Sequence, residues 1–216
     1  MFIGHHAAAF AAKGVAPRVS LGTLFAATMW LDLVWPVLLL TGAETVRIDP
    51  GNTAFTPLDF VSYPITHSLA AVLGWGLAAA ILYRVVRGPW RDALVVGAGV
   101  VSHWLLDFLT HRPDLPLWPD GPKVGLGLWN SVPATIAVEV LLFIAGLVVY
   151  LRTTRANDRI GSVALWVLVA FVALIYVANI TSPPPPNADA IGWVALSAWL
   201  FVPWGWWIDR HRSVSR

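Results

Sequence analysis

The chain has 216 residues, of which 57% are hydrophobic and only 12% are charged, and its mean hydropathy is +0.69. A soluble domain usually has about twice that fraction of charged residues, and one core of this size could not bury so much apolar surface. The composition therefore excludes a soluble enzyme, a disordered chain and a disulfide-stapled secreted domain, and predicts an all-α protein that crosses a membrane several times.

A short apolar segment comes first in the chain. Residues 2–13 are rich in alanine but too few to span a bilayer. A helix running back from Lys13 at the cytoplasmic surface would place His5 about 12 Å into the membrane. We predict a half-span helix that presents His5 or His6 to the membrane interior; the alternative is an interfacial helix or a disordered end whose histidines have no role.

Six further segments are long and apolar enough to cross the hydrocarbon core, which takes about 20 residues. They comprise residues 19–40, 64–86, 93–111, 126–151, 160–181 and 190–208. Proline- and glycine-containing loops separate them, and none of these loops is long enough to hold a soluble domain. We therefore predict a single transmembrane domain over residues 1–216, with the candidate site motifs in 1–151 and few motifs in 160–208.

The basic residues predict the orientation of the spans. Eleven of the 14 lysines and arginines fall in the N-terminal segment, the second and fourth loops and the C-terminal tail, and the other loops contain only Arg47, Arg112 and Lys123. This strict alternation follows the positive-inside rule and predicts that both termini are cytoplasmic.

Several titratable residues interrupt the apolar spans or lie at their ends. They are Asp32, His67, His103, Asp107, Glu139, His111 and Asp114. A carboxylate at mid-bilayer costs about 2.5–3.5 kcal/mol, so three buried acids together would cost about 8–10 kcal/mol. That cost is comparable to the stability of a whole domain, and protonation, mutual pairing, a water-filled cavity or a bound cation must offset it.

The spacing of these residues favours a cation. His103, Asp107 and His111 follow each other at intervals of four residues and so share one stripe of a helix. Imidazole and carboxylate are ligands of zinc and other borderline divalent ions, and the chain has no cysteine to supply a thiolate. Acids and histidines of four spans also fall at similar depths when counted at 1.5 Å per residue.

We therefore predict that one or two divalent ions, with zinc as the first choice, bind in the outer half of the bilayer. The core ligands would be Asp32, His67, His103 and Asp107. The further ligands or supporting residues would be His5, His111 and Asp114.

The same residues resemble a known bacterial inner-membrane family. The motifs that carry the resemblance are Gly4-His5, Asp32, Thr66-His67-Ser68, Ser102-His103-Trp104-Leu105-Leu106-Asp107, His111-Arg112-Pro113-Asp114-Leu115-Pro116-Leu117, Val124-Gly125-Leu126-Gly127-Leu128-Trp129 and Glu139. The family is described as LexA-regulated, membrane-bound, predicted metal-dependent hydrolases, and the resemblance covers about the first two-thirds of the chain. The ligand order is also distantly similar to that of zinc-dependent phospholipase C and single-strand nucleases, although Thr135 stands where their later His-xxx-Glu element would have its histidine.

A metal-dependent hydrolase is the function that these patterns favour. A bound ion would activate water, Asp107 would act at the ion, and Glu139 would take the proton of the water. The substrate would be a membrane lipid or a lipid-like molecule with an ester or phosphoester bond, and the net charge of +2 gives no indication of a nucleic-acid partner. Two alternatives stay open: a proton- or metal-ion-coupled transporter that uses the same intramembrane residues, and haem binding through His67 and His103.

Overall fold

Helices make up most of the structure, a computed structural model that describes residues 1–215. In chain order they are α1 (Ile3–Val15), α2 (Leu21–Thr28), α3 (Trp30–Leu40), α4 (Pro64–His67), α5 (Leu69–Val86), α6 (Trp90–Thr110), α7 (Val132–Thr153), α8 (Arg159–Thr181), α9 (Ala188–Leu196) and α10 (Phe201–Arg210). Within residues 1–215, α5, α6, α7, α8 and the α9–α10 unit are long and apolar enough to cross a membrane, and α2 with α3 forms a sixth span if counted together. The prediction of an all-α polytopic membrane protein is confirmed.

The N-terminal helix α1 is a buried half-span element of 13 residues. It packs against α2, α6 and α7, and most closely against α7, where a Cβ added to Gly146 would collide with the carbonyl of Ala7. Small side chains are what allow two helix backbones to approach this closely in a membrane. At the other end of α1, Lys13 is buried and donates to the Val19 carbonyl and to the Asp209 carboxylate at 2.8 and 2.5 Å.

The first two predicted spans are each divided. The segment predicted as 19–40 bends by 54° between α2 and α3, at Met29. The segment predicted as 64–86 begins with the single turn α4, and α5 starts afresh after Ser68, whose hydroxyl accepts from the Ala71 amide. Each division lies next to a predicted site residue, Asp32 in the first turn of α3 and His67 at the end of α4.

The other spans begin and end within a few residues of their predicted limits, apart from the start of the fourth. This span was predicted from residue 126, but the chain first makes a short 3-10 turn at Leu128–Asn130. Ser131 then caps α7 by accepting from the Ala134 amide. A second 3-10 turn, Ser197–Leu200, joins α9 to α10 in the last span.

Short antiparallel strand pairs occupy the loops, a feature that the sequence analysis did not predict. They are β1 (Thr45–Ile48) with β2 (Leu58–Ser62), β3 (Leu115–Pro116) with β4 (Lys123–Val124), and β5 (Thr154–Ala156) with β6 (Arg212–Val214). The first two pairs lie on the predicted outer side, where Arg47 and Arg112 both bind the Asp59 carboxylate. Beside the third pair, hydrogen bonds from His211 and the Gly161 amide lower the pKa of Asp158.

Candidate metal centre

The carboxylate of Asp107, on α6, lies at the centre of the predicted site residues. Its Oδ2 atom is 3.1 Å from Nε2 of His103 and 3.7 Å from Nε2 of His67, and its Oδ1 atom is 3.1 Å from Nε2 of His5. The side chain is only 2% exposed. Three imidazoles from α1, α4 and α6 therefore face one buried carboxylate.

Asp32 approaches the same histidines from another side. Its Oδ1 atom lies 3.6 Å from Nε2 of His103 and 3.7 Å from Nε2 of His67, and its side chain is 37% exposed. The ligand atoms form two groups that share His103. The first contains His5, His103 and Asp107, and the second contains Asp32, His67 and His103. Within each group, all ligand atoms lie within 4.8 Å of one another. Asp32 is the most exposed member of the two ligand groups.

The orientation of His103 is fixed by the break in the first span. Its Nδ1 atom lies 2.8 Å from the carbonyl oxygen of Thr28, the last residue of α2. A carbonyl can only accept, so Nδ1 carries a hydrogen, and in the neutral imidazole Nε2 then holds a lone pair. Nε2 has no hydrogen-bond partner among residues 1–215, although it faces both Asp32 and Asp107. A lone pair between two carboxylates is repelled unless a cation or an added proton lies there.

The N-terminal residues supply two further groups. The ring of His5 stacks on that of His103, with centroids 3.6 Å apart and planes within 6°. The Nδ1 atom of His6 instead forms a hydrogen bond with the Phe2 carbonyl, and its ring packs against Phe25 and Phe201. Of these two histidines, only His5 therefore belongs to a ligand group. The amino group of Met1 lies 2.5 Å from Oδ1 of Asp107. No sequence pattern indicates this ammonium, since its position depends on how α1 docks.

Glu139 lies at the N-terminus of α1 instead of against the histidines. Its Oε2 atom accepts from the backbone amides of Phe2 and Gly4 at 2.9 and 3.3 Å. Its Oε1 atom is buried and has no hydrogen-bond partner in the described part of the chain. The side chain thus caps the half-span helix with one oxygen and keeps the other free.

His111 and Asp114 form a pair behind Asp107. Nδ1 of His111 lies 2.9 Å from Oδ1 of Asp114, which also accepts from the Tyr63 hydroxyl at 3.0 Å. Nε2 of His111 is 4.0 Å from Oδ1 of Asp107. The pair lies outside the two ligand groups, and we infer that it supports Asp107. Tyr63, which lies between β2 and α4, was not singled out by the sequence analysis because an isolated tyrosine in a loop carries no pattern.

Comparison with known proteins identifies residues 2–182 as a match to the family model described as YdjM inner membrane protein. This match includes the ligand groups, Glu139, His111 and Asp114. It confirms the predicted multi-pass location in the bacterial inner membrane, together with the resemblance to a bacterial inner-membrane family. No curated protein and no solved structure matches the chain.

Proposed function

This chain belongs to the YdjM inner membrane protein family, and we propose that it is a metal-dependent hydrolase acting on a lipid-like substrate. One observation carries the proposal. The free Nε2 atoms of His67 and His103 converge between the carboxylates of Asp32 and Asp107.

Four of the separations among the ligand atoms are close to those expected around a divalent ion. Zinc binds imidazole nitrogen and carboxylate oxygen at about 2.0–2.2 Å, which places the ligand atoms of a tetrahedral site about 3.3–3.6 Å apart. The separations between the two histidines and the two carboxylates are 3.1, 3.6, 3.7 and 3.7 Å. His103 has a single free nitrogen and so can bind one ion. A second ion would need Oδ1 of Asp107 together with His5, and it would displace the Met1 ammonium from that oxygen.

The chemistry follows from the residues around such an ion. A divalent ion lowers the pKa of a water ligand to about 7 and so supplies hydroxide at neutral pH. We assign Asp107 to catalysis as the ligand shared by the histidines, and Glu139 as the acceptor of the proton, since its Oε1 atom is unengaged in residues 1–215. Asp32, the exposed member of the cluster, marks the side from which a scissile bond would approach.

A lipid-like substrate is supported by the surroundings of the site. An apolar groove of about 380 Å³ runs between α1, α6 and α7. Gly4, Ser102 and Leu106 line it, and each directly precedes a member of the ligand groups in the chain. An acyl chain lying in this groove would run alongside the two helices that carry His5, His103 and Asp107.

Metal analysis of the purified protein tests the proposal. We expect one or two divalent ions per chain by mass spectrometry, with the ion lost in His103→Ala and Asp107→Ala. The control is His211→Ala, which alters a histidine beside the predicted cytoplasmic tail. A parent protein that holds no stoichiometric metal would contradict the proposal, and a metal-loaded protein should then be screened against phospholipids and other lipid esters.

A proton- or metal-ion-coupled transporter is the second candidate. The 54° break at Met29 favours it, since discontinuous helices beside intramembrane charges are typical of ion pathways. Flux measured in proteoliposomes distinguishes the two. Metal or proton flux that Asp107→Asn abolishes, without hydrolysis of any lipid, would favour the transporter.

A further inference from the structure

The buried carboxylate of Glu44, which is outside the ligand groups, is connected to His67 through the hydroxyl of Thr66. Glu44 lies in the loop between α3 and β1 and is 1% exposed. Its Oε2 atom is 2.6 Å from the Thr66 hydroxyl, which is 2.7 Å from Nδ1 of His67. Thr66 is also fully buried, so water does not compete for this chain of hydrogen bonds.

The direction of these hydrogen bonds determines which nitrogen of His67 is free. Glu44 also accepts, through Oε1, from the backbone amides of Ile65 and Thr66, both at 2.8 Å. The Thr66 hydroxyl donates to the other oxygen, Oε2, of the same carboxylate. Its oxygen must then accept from Nδ1 of His67, and in the neutral ring Nε2 bears the lone pair that faces Asp32 and Asp107.

We propose that Glu44 and Thr66 are positioning residues of the candidate metal centre, which fix His67 in the tautomer that can bind a cation. The proposal rests on the proposed function, because it requires an ion at that centre. A histidine ligand commonly donates its other N–H to a carboxylate or carbonyl, and loss of that partner costs about 10–100-fold in metal affinity. The Thr28 carbonyl has the same relation to His103.

If Glu44 had only a structural role, loss of the Thr66 hydroxyl would not affect metal binding. If the carboxylate served only to hold the start of α4, its two bonds to backbone amides would be sufficient. Thr66→Val preserves the shape of the side chain and both amide bonds, and removes only the hydroxyl between Glu44 and His67. Thr66→Ser restores that hydroxyl.

Cobalt binding by the full-length purified protein provides the test. Co²⁺ absorption reports both affinity and ligand geometry. We expect Thr66→Val to weaken Co²⁺ binding about 10–100-fold and to change the absorption bands, and Thr66→Ser to restore both. Thr135→Val is the matched control, since Thr135 is an equally buried threonine whose hydroxyl bonds the carbonyls of Leu128 and Ser131.

Glu44→Gln is the second variant, and it decides the matter if Thr66→Val does not fold. A glutamine amide can donate to the Thr66 oxygen, so the hydroxyl would turn to Nδ1 of His67 and move the ring hydrogen to Nε2. We expect the same loss of affinity. Unchanged affinity and bands in a folded variant would overturn this inference and leave the proposed function standing, whereas a parent protein that does not bind Co²⁺ would overturn both.

Discussion

The half-span helix α1 depends on a carboxylate that lies far away in the chain. Glu139 accepts from the amides of Phe2 and Gly4, and its removal would leave two amides without a partner. Each unsatisfied buried group costs about 1–3 kcal/mol, so Glu139→Ala should weaken the docking of α1 by about 2–6 kcal/mol. Because Phe2 is only half-buried, we expect a value near the lower end of that range, about 2–3 kcal/mol, which is about 30- to 150-fold in the opening equilibrium.

Glu139→Gln separates this role from catalysis. The amide oxygen still accepts from the two backbone amides, and only the favourable interaction of the charge with the helix N-terminus is lost, at most about 2 kcal/mol. Hydrogen exchange of the α1 amides, followed by mass spectrometry in lipid nanodiscs, measures the opening directly. We expect exchange to be faster in the alanine variant than in the glutamine variant, where the increase should stay below about 30-fold.

The control variant, like Glu139→Ala, changes a residue of α7. Leu141→Ala removes a side chain on the exposed face of α7, where 67% of the leucine is accessible, and should leave exchange in α1 unchanged. If Glu139→Ala also leaves it unchanged, the cap does not hold the helix and the reasoning is wrong. If Glu139 accepts the proton in the reaction, the glutamine variant should keep α1 docked and metal bound, yet lose hydrolysis.

Three further predictions concern metal content and stability. His5→Ala should lower the bound metal measured by mass spectrometry, whereas His6→Ala should not, because the His6 ring packs among phenylalanines. Gly146→Val should lower the melting temperature, since overpacking costs about 1–3 kcal/mol, and Gly74→Val, where a Cβ meets open space, should have little effect. Asp209→Asn should destabilise the protein by about 3–5 kcal/mol in thermal or denaturant unfolding, because the buried ammonium of its lysine partner loses its counter-charge; an unchanged midpoint would contradict this.

The sequence was most informative where helical periodicity and hydropathy act together. The interval of four residues between His103 and Asp107 requires one face of one helix, and α6 has both on that face. Counting residues from the span ends also predicted that Asp32 and His67 lie at a similar depth, and the structure brings all four side chains together. Whether they bind an ion stays a prediction.

What the sequence could not reveal depends on tertiary contacts. Glu44 lies in a loop without periodic pattern, and it reaches Thr66 only because β1 and β2 pair and return the chain to the start of α4. The break at Met29 has no glycine or proline at that point to predict it. At this break the Thr28 carbonyl accepts a hydrogen bond from His103, which lies 75 positions further along the chain.

From the sequence, the three intramembrane acids share one energetic problem, the cost of a buried carboxylate, but in the structure their surroundings differ. Glu139 is stabilised by backbone amides at a helix N-terminus, and Asp32 keeps 37% of its side chain accessible. Asp107 has neither a helix terminus nor exposure, and it faces imidazoles from three helices and the Met1 ammonium. Oδ1 of Asp107 already faces the Met1 ammonium, so a cation is needed most between its Oδ2 atom and the unpartnered Nε2 atom of His103. Metal binding should therefore respond far more strongly to loss of these two residues than to loss of Glu139.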